Sequence, residues 1–194
     1  MRTFQALLVL SALALALFGC GGGSKSMQSA DTGDIPDWFK DIPKDPNYFF
    51  ATNTQVSQDL QLAIDKATQG ARTEIGRMVE TKISGLQKRF TEETGTAGNA
   101  QLLDMFTQAS KTIVSTSLSG SRASKQKHVK DGENWRAYVL VEYPVGAANE
   151  ALMQQIKNNE QMYTRFRASQ TFKELDEEVK KFEEFKKQQQ PPQQ

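Results

Sequence analysis

A long apolar periodicity is the feature that most limits how this 194-residue chain can fold. From Gln58 to about Phe90, apolar side chains recur at steps of three and four residues, which places them on one face of an α-helix. These residues are Leu60, Ile64, Ala67, Ala71, Ile75, Met78, Val79, Ile83, Leu86 and Phe90. The pattern predicts one long amphipathic helix, and Ser57 is predicted to be its N-cap.

Two further patterns follow the long helix. The helical spacing restarts and predicts a second, shorter helix that ends near Ser115. Its apolar residues are Leu102, Leu103, Phe106, Ala109 and Ile113. Beyond it, Asp131-Gly132 is typical of a tight turn, and every second residue from Trp135 to Tyr143 is apolar. The sequence therefore predicts a hairpin in which a polar strand ending at Lys130 pairs with a half-buried strand.

A first strand is predicted ahead of the long helix. The segment from Tyr48 to Thr54 is aromatic and rich in threonine, a composition typical of strands. Before it, Pro36 and Pro43 each push the preceding residue away from helical geometry. The sequence therefore predicts that an extended segment, from Ile35 to Pro43, leads into this strand.

Helical spacing returns near the C-terminus, between Asn149 and Lys187. Within this region four apolar side chains lie on one stripe with nearly coiled-coil spacing; they are Phe172, Leu175, Val179 and Phe182. Isolated helices of this length are marginal in water, so something must cover the stripe. Two alternatives remain open: the stripe binds a second copy or another protein, or it packs against the chain's own domain.

Four segments of the chain resemble the LPP20-type lipoprotein family. They are Pro36-Asp37-Trp38-Phe39, the strand from Tyr48 to Thr54, the helix through Ala63, Ala67, Ala71, Glu74 and Ile75, and Asp131-Gly132 with Trp135 to Val141. The family's first strand often carries a glycine near the positions of Thr52 and Asn53, which this chain lacks. The resemblance implies an α+β domain over residues 35–146, with helices covering one face of a small antiparallel sheet, and it implies no catalytic residues. A long helical region at residues 147–187 would follow that domain.

The first 20 residues have the layout of a lipoprotein export signal. Arg2 precedes an apolar run of about 13 residues, which is short of the roughly 20 that span a membrane. The segment Leu17-Phe18-Gly19-Cys20 resembles a lipobox, so we expect cleavage between Gly19 and Cys20 and removal of residues 1–19 as a signal peptide. Stable anchoring needs at least two acyl chains, and the lipoprotein resemblance implies that Cys20 carries diacylglycerol and an N-acyl chain. No other cofactor is expected.

The ends of the mature chain are predicted to be unstructured. Residues 20–34 are rich in Gly and Ser and form a flexible tether, and residues 188–194 form a disordered Gln/Pro tail. By the lipoprotein resemblance, Gly21 in place of an aspartate favours sorting to the outer membrane, with the domain facing the periplasm. Without Arg2, the mature chain has 24 − 1 = 23 Lys plus Arg against 23 Asp plus Glu. This neutrality gives no indication of nucleic-acid binding.

Catalytic and metal sites are not predicted. His128 is the only histidine and Cys20 the only cysteine, so the chain offers no two-histidine metal site, and its one thiol is assigned to the lipid. Lysines surround His128, which makes it a poor metal ligand. The sequence therefore favours a protein that is not an enzyme.

One basic cluster is the remaining candidate for ligand binding. It consists of Arg122, Lys125, Lys127, His128 and Lys130. Strict strand alternation predicts that Lys125 and Lys127 point to one face and the other three to the opposite face, which suits a protected edge strand better than a binding patch. Trp38 is the candidate aromatic side chain, because an exposed indole can stack on sugar rings.

Two functions are therefore compared. The first is an envelope lipoprotein, anchored at Cys20, that acts as a structural or protein-interaction module through its C-terminal helix or its sheet edge. The alternative is a module that binds glycan or lipid through Trp38, Lys125 and Lys127. Salt-sensitive binding to cell wall would favour the second, and a stoichiometric protein partner the first.

Overall fold

The computed structural model describes residues 35–189. The predicted signal peptide, the lipidation site at Cys20 and the tether lie outside the described residues, as does most of the predicted tail. The elements, in chain order, are α1 (Asp37–Lys40), β1 (Tyr48–Ser57), α2 (Leu60–Thr94), α3 (Ala100–Gly120), β2 (Arg122–Asp131), β3 (Asn134–Pro144), α4 (Val145–Asn158), α5 (Glu160–Phe166) and α6 (Gln170–Gln189).

The three strands form one antiparallel sheet in the order β1-β3-β2. Strands β2 and β3 are the predicted hairpin, and Gly132 in its turn has a φ of 61°, a conformation that glycine adopts without steric cost. Strand β1 pairs with the other side of β3, from Tyr48 opposite Pro144 to Ser57 opposite Trp135. This arrangement confirms the predicted α+β fold, with a small antiparallel sheet and a long C-terminal helix.

Helix α2 joins the sheet to the other helices. It begins where the side chain of Asp59 accepts a hydrogen bond from Leu62 N, and it ends at Gly95, whose φ is 65°. Its first half packs against β1 and β3 through three buried alanines, which are Ala63, Ala67 and Ala71. Its second half packs against the other helices, where the ring of Phe90 lies 4.5 Å from that of Phe166. Helix α2 thus contributes buried side chains both to its contact with the sheet and to its contact with the other helices.

The segment ahead of β1 differs from the prediction. Asp37–Lys40 is a short helix rather than extended chain, because Phe39 N and Lys40 N donate to the carbonyl of Pro36 at 2.9 and 3.2 Å. Only the residue before each proline is restricted, and the residues after Pro36 are free to turn. The predicted N-cap of the long helix was also wrong by two residues, because Asp59 caps it and Ser57 ends β1.

Two helical regions also have different limits from those predicted. Helix α3 continues to Gly120, and its last turns still pack against α2: Ser117 is buried and Leu118 lies against Gly76. The predicted C-terminal helical region consists of three helices, of which α6 is the long C-terminal helix. It breaks at Asn159, whose side chain accepts from Met162 N at 3.0 Å, and at Ser169, which accepts from Phe172 N at 3.1 Å. Helix α6 then runs to Gln189, two residues into the predicted tail.

Candidate interaction surfaces

The apolar stripe of α6 packs against the chain's own helices. Leu175 is 1% exposed and Val179 is 8% exposed, and both belong to the same core as the sheet residues. Phe172 and Phe182 are half-buried at the margins of this contact. The Lys186 ammonium lies 2.9 Å from the Glu150 carboxylate and so joins α6 to α4. Of the two alternatives, the structure shows packing on the protein's own domain.

A carboxylate from α2 caps the start of α6. The side chain of Glu93 accepts a hydrogen bond from Thr171 N at 3.1 Å and another from the Thr171 hydroxyl. The first amides of a helix have no partner within the helix, so this side chain satisfies one of them. Both hydrogen bonds favour the charged carboxylate, and they lower the pKa of Glu93 below its ordinary value.

The basic strand β2 has a bulge that alters which residues share a face. Ala123 lies opposite Val141 and Lys125 opposite Leu140, so Ser124 is an extra residue. Because a bulge shifts the alternation by one, Arg122 points to the same face as Lys125 and Lys127. The predicted separation of Arg122 from these lysines was therefore wrong.

Charges on this face are partly neutralised. Arg122 forms an ion pair with Glu142, and Arg136 forms one with Asp131 at 2.6 Å. On the opposite face, the Lys130 ammonium lies 4.3 Å from the ring of Trp135. The basic cluster thus divides into Arg122, Lys125 and Lys127 on one side of the sheet and His128 and Lys130 on the other.

Helix α1 brings Trp38 to the side of the sheet that carries Lys125 and Lys127. The ring of Phe39 lies 5.0 Å from that of Tyr138, and Tyr138 is directly opposite Lys127, so these two side chains share a face. Trp38 is half-buried and its ring lies 6.2 Å from Phe39. The structure therefore brings the three predicted binding residues to one side of the sheet.

The two edges of the sheet differ in charge. Strand β2 forms one edge and carries five basic side chains and a bulge, which protect an edge from pairing with other chains. Strand β1 forms the other edge, and its residues YFFATNTQVS include no charged residue and no proline. Its register with β3 is continuous. Among residues 35–189, no strand pairs with the second side of β1.

An apolar cleft adjoins the start of this open edge. It has a volume of about 570 Å³, and its apolar lining includes Pro46, Phe49, Met78 and Val145. Charged side chains from α2 lie at its rim, where Arg77 is 3.2 Å from Glu74. Sequence reasoning predicted the strand and named a sheet edge as a candidate contact, but it did not identify β1 as that edge and it missed the cleft. Strand order, and the meeting of β1 with α2 and α4, depend on contacts between distant parts of the chain.

Comparison with known proteins adds no relative to this description. No protein-family model, no curated protein and no solved structure matches the chain. Within residues 35–189, no helix is long and apolar enough to span a membrane. The same residues contain no group of three His, Cys, Asp or Glu side chains that could hold a metal ion.

Proposed function

We propose that the protein is a non-enzymatic bacterial envelope lipoprotein, anchored through lipid on Cys20, whose domain binds protein through the open edge of β1. The observation that carries this proposal is the uncharged edge of β1, with which no strand of residues 35–189 pairs, together with the apolar cleft beside it. This edge takes the place of the α6 stripe as the candidate contact, because the stripe is occupied within the chain. The LPP20-type resemblance and outer-membrane residence remain part of the proposal.

The edge and the cleft together suit recognition of an extended strand. An extended peptide that adds to a sheet edge gains affinity from main-chain hydrogen bonds, and pockets beside the edge select its side chains. Here β1 is ten residues long and, past Tyr48, whose N–H donates to Asp45 O at 3.1 Å, alternate residues direct their backbone groups away from β3. The cleft lined by Phe49 and Met78 lies where the strand begins. Neither histidine nor cysteine lines this cleft, and the proposed role is binding rather than chemistry.

Crosslinking in intact envelopes tests the binding surface. A photoreactive amino acid in place of Thr52, in the middle of β1, should join the chain to a protein. The same replacement at Gln126, an exposed and uncharged residue of the β2 edge, is the matched control and should give little product. Equal crosslinking at both positions, or none at Thr52, would contradict the proposed surface.

Fatty-acid labelling tests the anchor separately. Cells fed an alkynyl fatty acid should label the wild-type chain and not the Cys20→Ser variant, because only the thiol of Cys20 can be acylated by the diacylglycerol donor. Equal labelling of the two chains would place the anchor elsewhere.

A second candidate function is binding of anionic glycan or lipid headgroups. The observation that favours it is the β2 bulge, which places Arg122 beside Lys125 and Lys127 on the side of the sheet that carries Trp38. Binding to purified cell wall or lipopolysaccharide should then weaken as salt rises, since screening acts on exposed charges. It should also weaken in a Lys125→Glu and Lys127→Glu variant. Binding that neither change affects would reject this candidate.

A further inference from the structure

We propose that the open edge of β1 binds the β1 strand of a second copy of this chain. The two strands would pair antiparallel around a two-fold axis and form one continuous six-stranded sheet, with the two α2 helices packed together on its face. This inference rests on the proposed function, because it names the partner of the same edge.

Charge favours pairing between two β1 strands. The ten residues of β1 are uncharged, so two copies approach without like-charge repulsion along the edge. Two β2 edges would bring two sets of cations together, which is unfavourable. A two-fold interface uses the same surface on both copies, and β1 is the edge that meets this condition.

The spacing of the helices also fits. Because α2 packs against β1 and β3 to a similar extent, we take its axis to lie midway between them. Strands in a sheet are about 4.8 Å apart, so joining two copies at β1 places their α2 axes two strand spacings apart, at about 9.6 Å. Packed helices lie about 8 to 10 Å apart. The two helices therefore come into contact when the strands pair.

The crossing angle follows from the twist of the sheet. Each strand spacing adds about −20 to −25°, so helices two spacings apart cross at about −40 to −50°. At about −50°, rows of residues four apart interlock on both helices. Helix α2 has such a row beside β1, formed by Leu62, Lys66, Gly70, Glu74 and Met78.

The position of the two-fold axis comes from Gly70 and Asn53. A Cβ atom on Gly70 would lie 2.6 Å from Asn53 Cγ, so these residues mark the point where α2 and β1 are adjacent. Residues directly opposite in a sheet share a face. The two-fold axis must therefore lie between one residue of β1 and the same residue of the second copy. With the axis at Asn53, Thr52 lies opposite Thr54 of the second copy.

The same axis pairs complementary side chains on the helices. Counting four and eight residues to either side of Gly70 places Lys66 opposite Glu74, and Leu62 opposite Met78. Lys66 is exposed, and the Glu74 side chain is 45% exposed although it also pairs with Arg77 at 3.2 Å, so the other copy can reach both charges. Leu62 is 46% exposed, and it would enter the cleft that Met78 lines. Each contact occurs twice.

Charge exchange tests the proposal on the full chain, extracted from its membrane in mild detergent. Sedimentation equilibrium should show a dimer. Lys66→Glu and Glu74→Lys should each raise the dissociation constant at least about tenfold, because like charges then face each other. The double variant should return to near the wild-type value. Lys111→Glu, the same change on an exposed lysine of α3, should leave the constant unchanged.

Cysteine pairing supplies a second readout that does not depend on charge. Opposed strand residues have Cα atoms about 4.5 to 5.5 Å apart, within the range that a disulfide spans. Thr52→Cys with Thr54→Cys should therefore give a covalent dimer on oxidation in the membrane. Far-ultraviolet circular dichroism confirms that each variant is folded.

Three results would overturn the inference. A wild-type chain that stays monomeric, a dimer that charge reversal does not weaken, or a double variant that does not recover would each exclude this pairing. If the chain is a monomer and crosslinks at Thr52 to a different protein, the proposed function stands, and that protein rather than a second copy is the partner. A monomer without any crosslinked protein would reject both.

Discussion

Gly146, at the start of α4, sets how closely α6 can approach. A Cβ atom at this position would lie 2.5 Å from Phe182 Cβ and closer still to its ring, so helix α6 itself would have to move. Gly85 lies inside α2 and has open space where its Cβ would be. Replacement by alanine should therefore change the stability of the protein in opposite directions at the two glycines.

Gly146→Ala should lower the free energy of unfolding by about 1 to 3 kcal/mol, the usual cost of overpacking. Gly85→Ala should raise it by about 0.5 to 1 kcal/mol, because alanine favours the helix. Urea denaturation of both variants measures the difference. A stabilised Gly146→Ala protein would show that α4 and α6 are not in close contact.

The capping of α6 by Glu93 should depend on pH. Because the pKa of Glu93 in the folded protein is lowered from 4.5, its stabilisation is complete above that value. This stabilisation is lost as the pH falls through the folded pKa. Glu93→Gln should therefore lower the melting temperature at pH 7, and the difference from wild type should disappear in more acid solution. Glu92→Gln, a neighbouring exposed change, is the control, and an equal effect at both positions would contradict the cap.

At the scale of elements, α6 is the helix for which the sequence left two roles open and the structure shows internal packing. Leu175→Ala should lower the free energy of unfolding by about 2 to 5 kcal/mol, because the residue is 1% exposed and its loss leaves a cavity. Its molecular mass by light scattering should stay that of the parent. Lys173→Ala, on the exposed side of α6, should change neither quantity. If Leu175→Ala leaves the stability unchanged and lowers the molecular mass, the apolar stripe of α6 mediates association between chains instead.

Periodicity and turn chemistry were enough to predict most elements. The steps of three and four gave α2, and Asp131-Gly132 with alternation gave the β2–β3 hairpin. The breaks at Asn159 and Ser169 were missed because apolar residues resume in helical phase on either side of them, whereas each break is marked only by one polar side chain that caps the start of the next helix. The bulge at Ser124 was missed because no glycine or proline marks it.

At the scale of the molecule, the proposed outer-membrane residence can be tested by changing the residue after Cys20. The Gly21→Asp variant should shift the protein from outer-membrane to inner-membrane fractions in a density gradient, because aspartate after the lipidated cysteine is expected to retain a lipoprotein. Gly21→Ser is the matched control and should sort as wild type. Wild-type protein found wholly with inner-membrane markers would contradict outer-membrane residence.

The pairing of β1 with β3, from Tyr48 opposite Pro144, has a consequence for the order of folding. Synthesis produces β1 and α2 well before β3, and a contact so distant along the chain forms late. Until β3 arrives, the uncharged strand has no neighbour on either side and is open to misassembly. A domain that starts at Ile35 and is shortened to end at Asp131 should therefore collect in the pellet after centrifugation, whereas the domain that starts at Ile35 and continues through β3 to the C-terminus stays in solution. We therefore expect a nascent chain of this kind to need a holding chaperone until its last strand is complete.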